Sequence, residues 1–304
     1  MSRRTHVIFA LIAAPAALLT PLEALSQPAK PGEVTASTSI SGVYTFNTDL
    51  DRGGDFNWGT GIVSGTITRQ VTPQLSVGLS LRYDYENWSF GNPIAFGGQA
   101  PWGKLNAPNI AVNFGYAVTS DISIGVTPTF GWAYETSSSG NGLIYGAILS
   151  ATKVFSPDLV LGLGAGIVRQ IDETKVFPFL IVHWQINDRW RLANPFRAGP
   201  SGGAGLELTY SIDDDWEVAG GGAYRSYRFR LADNGYAPKG VGENRFIPLF
   251  ARVTRKLGKQ TQLDFYAGVS VSGRLSVDNS SGGSVAQDDY KTAPALGLTL
   301  AHRY

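Results

Sequence analysis

Hydrolytic chemistry needs a nucleophile beside a base, and a histidine that activates a serine must come within hydrogen-bond reach of it. The chain has no cysteine, and only two of its three histidines, His183 and His302, lie beyond the first 26 residues. His183 shares the parity of Gln185, alternate to Val182, Trp184 and Ile186. Ser123, Ser270 and Ser272 sit on the polar parity of their own segments, but no His-x-Ser pair is present. Any polar face that alternates with an apolar one supplies such serines, so no enzyme and no cofactor are expected. Gly162-Leu-Gly-Ala-Gly166 has glycines at phosphate-loop spacing, yet Leu161, Leu163 and Ala165 alternate through it as they would in a strand. Asp49-Leu-Asp-Arg-Gly-Gly-Asp55 approaches the spacing of a calcium loop but lacks the glutamate at the twelfth position. No metal site is expected.

What remains is charge set at alternate positions. Arg82, Asp84 and Glu86 stand on one side of a segment whose other side is Leu79, Leu81, Tyr83 and Tyr85. The same alternation runs through Ile122, Ile124, Val126, Phe130, Trp132 and Tyr134, and through Leu263, Phe265, Ala267, Val269, Val271 and Leu275. A period of two over ten or more residues means a strand with one apolar and one polar face. These strands, at about 10 to 14 residues, are roughly twice the usual length and suit a tilted bilayer crossing. Composition agrees: 37 glycines and 12% aromatics accompany only 16% charged residues, against about a quarter in soluble domains.

Very short connections at 72–74, 119–121, 156–158, 187–189, 213–215 and 258–260 alternate with longer polar or glycine-rich ones, the turn-and-loop asymmetry of outer-membrane barrels. The expected fold is an all-β, antiparallel transmembrane barrel of fourteen strands, or twelve if the short strand at 190–196 and a neighbour do not cross. Trp190 and Trp216 after turns, and Tyr83, Tyr85, Trp132 and Tyr134 before loops, are placed as interfacial belts.

At the N-terminus, Arg3 and Arg4 precede an apolar run from Val7 to Leu19, and Ala24 and Ser26 supply small residues. This predicts a cleaved signal peptide over 1–26, a short periplasmic segment over 27–34 and the barrel over 35–304. Without Arg3, Arg4 and Glu23 the 25 basic and 24 acidic residues become 23 of each, a balance that argues against nucleic acid. The expected surroundings are outer-membrane lipid and lipopolysaccharide. At the C-terminus Leu296, Leu298, Leu300 and His302 alternate with small or polar residues and end on Tyr304. Leu296, Leu298, Leu300 and Tyr304 form a closing-strand signal for the outer-membrane assembly machinery.

The stretch Leu192-Ala-Asn-Pro-Phe196 through Gly202-Gly-Ala-Gly-Leu-Glu-Leu-Thr-Tyr210, then Asp215-Trp216 and Tyr224-Arg-Ser-Tyr-Arg-Phe-Arg-Leu231, is similar to a family of bacterial outer-membrane β-barrels known only as a domain of unknown function. The resemblance extends over most of the chain after residue 26 and is strongest in the last third, including Gly240 to Arg245. It implies the barrel and its membrane, and no catalytic or ligand residue.

On the alternation above, Arg82, Asp84, Glu86, His183, Glu207, Glu217, Arg225, Arg252, Asp264 and Arg274 face the lumen. They either set a transverse field across a narrow pore or pair across strands and fill it. Arg228 and Arg230 break the rule, because strict alternation from Trp216 puts them against lipid; a bulge at Arg225 and Ser226 would turn them inward and Tyr227, Phe229 and Leu231 outward. The loop from Trp88 to Pro108, with Phe90, Phe96 and Trp102, is too apolar to stand in water and is expected to fold inward or pack on the rim. The functional expectation is a passive pore or facilitator for small solutes, hydrophobic or amphipathic ones favoured; the alternative is a barrel with a structural or adhesive role.

Overall fold

A computed structural model describes residues 30–195 and 205–304. The expected signal peptide, the start of the 27–34 segment and the stretch from Phe196 to Ala204 lie outside them. The described strands make fourteen antiparallel crossings in one closed sheet. They are β1 (Val34–Asp49), β2 (Asp55–Gln70), β3 (Leu75–Gly91), β4 (Lys104–Ala117), β5 (Ile122–Trp132, resumed at Tyr134–Glu135), β6 (Leu143–Ser156) and β7 (Leu159–Gln170). The series continues with β8 (Glu173–Gln185), β9 (Trp190–Ala193), β10 (Gly205–Ser211), β11 (Trp216–Ala223, resumed at Arg225–Arg230), β12 (Val241–Lys256), β13 (Thr261–Asp278) and β14 (Ser284–Tyr290, resumed at Ala293–Arg303). Closure is made by β1 on β14, from Ser37 opposite Arg303 to Thr45 opposite Ala295. The short β9 pairs with both β8 and β10, so the count is fourteen and not twelve.

No helix of the described residues is long and apolar enough to cross a membrane; the crossings are strands. Closing the sheet pairs the backbone polar groups that hydrocarbon cannot solvate. The alternation does the rest. Ile40, Leu81, Leu163, Leu180, Phe265 and Leu298 stand exposed on the outer face, while Ser41, Ser80, Asn113, Thr127 and Thr299 are buried on the inner one.

At the end with the short connections the turns are closed by the residue that opens them. The side-chain oxygens of Thr72, Thr119, Asn187 and Asp213 each accept N–H groups two and three residues on, at 2.8 to 3.4 Å, the local bonding for which Thr, Asn and Asp are favoured in turns. The opposite end carries the longer connections 92–103 and 231–240, but the one between β7 and β8 is only Ile171 and Asp172. There Ile171 takes a positive φ of 57°.

The mouth at that end is narrower than the barrel below it. Among the described residues, the pairing of β10 with β11 begins at Gly205 with Ala223. Past the break at Tyr224, β11 keeps β12 as one neighbour but takes β5 as the other: Arg230 pairs with Tyr134, and its N–H donates to the Ala133 carbonyl at 3.0 Å. The upper ends of β6, β7 and β8 are thereby left outside the ring that closes the mouth.

Candidate functional site

The inward charges near the short-turn end are paired. Thr254 on β12 lies opposite both Glu217 on β11 and Asp264 on β13, so alternate inward residues of three strands meet. Arg252 contacts Glu207 at 2.5 Å and Asp264 at 3.3 Å, and Thr254 donates to Asp264 at 2.5 Å. Glu217 meets Lys256 at 2.9 Å and Arg191 at 3.3 Å. Asp264 is wholly buried and Arg252 is 4% exposed. A carboxylate so enclosed is tolerated only when paired, and these groups pair across neighbouring strands on the inner face.

Above them lies a second charged group. Arg82 grips Asp84 through two nitrogens at 2.7 and 2.8 Å, while Glu86 accepts the Trp88 indole N–H at 2.8 Å. The Arg225 guanidinium lies 5.4 Å from the centre of the Tyr227 ring. Asp84, Glu86, Arg225 and Tyr227, together with Trp58, Phe246 and Tyr266, line a cavity of about 60 Å³, enough for a few waters.

An aromatic seal closes the lumen above the cavity. The inward parity of β2 ends in Phe56 and Trp58, and that of β3 continues from Glu86 into Trp88 and Phe90. Trp58 stacks on Trp88 at 4.6 Å, and Phe56 on Phe90 at 5.7 Å. The loop after β3 folds down onto them through one short helical turn, Ile94–Phe96, and buries Phe96 and Trp102. Trp102 sits edge-on to Trp88 at 5.5 Å and to Phe229 of β11 at 5.0 Å. Leu231, Leu275 and Tyr290 complete the cluster. Glu135 ties the two inner loops together, accepting the N–H of Gly103 and of Ala232, each at 2.8 Å. In the second of these loops, hydrogen bonds from Ser139 hold the Asp233 carboxyl below the usual carboxylate range.

Three predicted lumen residues are placed differently. Arg274 does not face the lumen. A register shift on β13, with Ser272 at a φ of 53°, turns Leu275 inward and Arg274 outward, where it pairs with Asp289. The bulge expected at Arg225 and Ser226 is absent: Trp216 with Arg255 and Arg230 with Val241 belong to one unshifted register. Arg228 and Arg230 therefore keep the outer parity, and Phe229 and Leu231 point inward. Arg228 is buried nonetheless, because the tip of β11 and β12 leans into the barrel and presents its outer face to β8. There Arg228 meets Glu243 at 3.0 Å, Asp172 at 2.9 Å and Asp278 at 3.3 Å. Lys175, on the inward face of β8, reaches Glu243 and Ser226, both at 3.0 Å. Arg230 donates instead to the carbonyls of Asn141 and Lys239.

His183 is half-buried on the inner side of β8, opposite Val160 and Ala193, neither of which can share a proton. Leu296, Leu298 and Leu300 form the outer face of the closing strand. Tyr304 is exposed beyond it, its N–H donating to Ala36 at 2.9 Å.

Residues 129–300 match the family model described as a domain of unknown function, DUF6268. No curated protein matches the chain. Among solved structures, an outer-membrane channel from Pseudomonas putida F1, COG4313, is similar over 90% of this chain and 96% of its own, at 10% identity and a TM-score of 0.48. The Pseudomonas putida toluene transporter TodX is similar over 92% and 93%, at 11% identity and 0.46. The translocator domain of the autotransporter NalP from Neisseria meningitidis is similar over 93% of both chains, at 11% identity and 0.40. Likeness at these values transfers neither substrate nor mechanism. The chain folds as a closed antiparallel β-barrel of fourteen crossings.

Proposed function

We propose, for a chain that belongs to the DUF6268 family, a facilitator that passes small apolar or amphipathic solutes through a gated lumen and is not a water-filled pore. The observation that carries this reading is the aromatic seal. A pore for ions or sugars needs polar side chains at its narrowest point. Here the constriction is built from Phe56, Trp58, Trp88, Phe96, Trp102 and Phe229. An ion meeting such a wall loses its hydration without compensation, whereas a small ring gains about 25 cal/mol for each Å² of apolar surface it buries. Because Phe96 and Trp102 arrive on one loop, displacing that loop removes two rings from the seal together.

The test is uptake of benzyl alcohol by vesicles whose outer leaflet is lipopolysaccharide, measured beside planar-bilayer conductance of the same refolded protein. Facilitation with only rare, brief ion conductance is the expected result. A large, steady conductance would instead mean an open porin. The paired charges around Arg252 favour a second reading, a structural barrel with a filled lumen, and absence of both fluxes would establish it over the first.

A further inference from the structure

We infer that the cavity beneath the aromatic seal binds the hydroxyl end of a small neutral aromatic alcohol or phenol, so that the solute class is hydroxylated rings and not plain hydrocarbons. Passage through this site rests on the proposed facilitation; binding to it does not.

The cavity lies where the inner face turns from polar to aromatic. Going up the barrel, the inward residues of β2 are Ile62, Thr60 and Trp58, and those of β3 are Asp84, Glu86 and Trp88. Trp58, Phe246 and Phe250 make one part of the lining, and Glu86, Arg225 and Tyr266 make another. Such a wall fits a guest with one apolar and one polar end. The charges decide what that polar end is. Arg82 holds Asp84, and Arg225 shares the lining with Glu86, so two cations balance two carboxylates. An ion of either sign would lose its hydration without a net opposite charge to replace it, whereas a neutral hydroxyl both donates and accepts. At about 60 Å³ the cavity admits a group the size of a few waters, which is the hydroxyl end and not the ring. Trp58 and Phe246 belong to the seal as well as to the cavity. The ring of the guest therefore lies against them, in room made when the loop carrying Phe96 and Trp102 is displaced.

Tyr266 gives the site its donor. The residue is 4% exposed, and its hydroxyl has no hydrogen-bond partner among the described residues. Thr299, which lies near it, bonds to Ser41 instead, at 2.7 Å. Buried hydroxyls are ordinarily paired, so one that lines a cavity unpaired points to a partner from outside the chain. Gly268, the next inward residue of β13, also lines the cavity and adds no side chain to fill it. Glu86 supplies an acceptor: the Trp88 indole N–H takes one of its oxygens at 2.8 Å, and a carboxylate accepts several hydrogen bonds.

Tryptophan fluorescence of the refolded barrel, with Trp58 and Trp88 at the site, can follow binding of benzyl alcohol and of ethylbenzene, in which a methyl group replaces the hydroxyl. Both are referred to their free aqueous concentrations. Tyr266→Phe keeps the ring and removes only the donor, and is expected to weaken benzyl alcohol about tenfold while leaving ethylbenzene unchanged. Should Tyr266→Phe lose the heat-dependent gel shift of a folded barrel, Glu86→Gln is the second reporter, with the same selective loss expected. No saturable binding of benzyl alcohol, or equal effects on the two ligands in a folded variant, would overturn the site. Binding and flux fail separately. Alcohol binding that depends on Tyr266 in a barrel without flux sustains the site and refutes facilitation; flux of benzyl alcohol that is indifferent to Tyr266→Phe does the reverse.

Discussion

Trp102→Ala tests whether the seal is the gate. The side chain is 2% exposed and makes ring contacts with Trp88, Phe90, Phe96 and Phe229 at 5.0 to 6.5 Å. Truncating a buried tryptophan to alanine costs about 3 to 5 kcal/mol. Trp102 rides on the connection between β3 and β4, and its four partners are held by β3, β11 and a separate part of that connection. Its contacts with Trp88, Phe90 and Phe229 exist when the loop is folded in and are lost when it leaves, whereas Phe96 can travel with it. Most of the cost therefore falls on the closed state. Since about 1.4 kcal/mol is tenfold in an equilibrium, the ratio of open to closed barrels should rise by roughly two to three powers of ten. Single-channel recording should show openings that are rare in the parent and frequent in the variant, and protease should cut within 92–103 faster. Phe130→Ala, which removes a ring from the outer face, should do neither. A folded Trp102→Ala barrel with unaltered opening frequency and loop cleavage would refute the gate.

The lower charge group makes a prediction about stability. Arg252→Ala leaves Glu207 and Asp264 buried without their cation and should cost about 3 to 5 kcal/mol, seen as a lowered urea midpoint for unfolding from vesicles. Adding Glu207→Gln and Asp264→Asn should recover most of it, and no recovery would mean that packing and not charge is at stake. At the closing strand, deletion of Tyr304 should impair assembly more than Tyr304→Phe, which keeps the exposed ring and the backbone N–H that bonds Ala36; equal defects in a folding assay with assembly machinery would contradict an assembly role.

Much of the barrel was legible because its determinants are local. Alternation assigns a face to each residue wherever the register is unbroken, so Arg82, Asp84, Glu207, Glu217, Arg252 and Asp264 could be placed in the lumen from the chain alone. That they pair was not legible, since it depends on which inward positions of β10, β11, β12 and β13 come to one level. Arg274 failed because one positive-φ residue, Ser272, exchanges the two faces beyond it. The seal left a trace that went unused. The inward parity of β3 passes from Ser80, Arg82, Asp84 and Glu86 into Trp88 and Phe90, and that of β2 carries Phe56 and Trp58; aromatic residues succeeding polar ones on the inner face mark where a lumen turns dry. Lys175 gave no comparable sign, because its partners Glu243 and Ser226 lie on the inward-leaning tip of β11 and β12.

The sealed mouth has its origin in the path of β11. Its register with β12 never shifts, so Phe229 and Leu231 stay inward while Ser226 and Arg228 stay outward. In an upright strand Arg228 would face lipid, at a cost of roughly 2 to 4 kcal/mol near mid-membrane and less toward the interface. Leaning inward past Tyr224 removes that cost twice over. It brings the outer face of the tip against Lys175, Asp172 and the inner surface of β8, and it drives Phe229 onto Trp102. An arginine on the lipid parity with no bulge to rescue it is thus a sign that the strand has left the wall. Charge reversal at Arg228 and Arg230 should consequently unseat the tip and raise bilayer conductance before it alters ion selectivity, and a pure selectivity change with the seal intact would show that the arginines line a mouth that is already open.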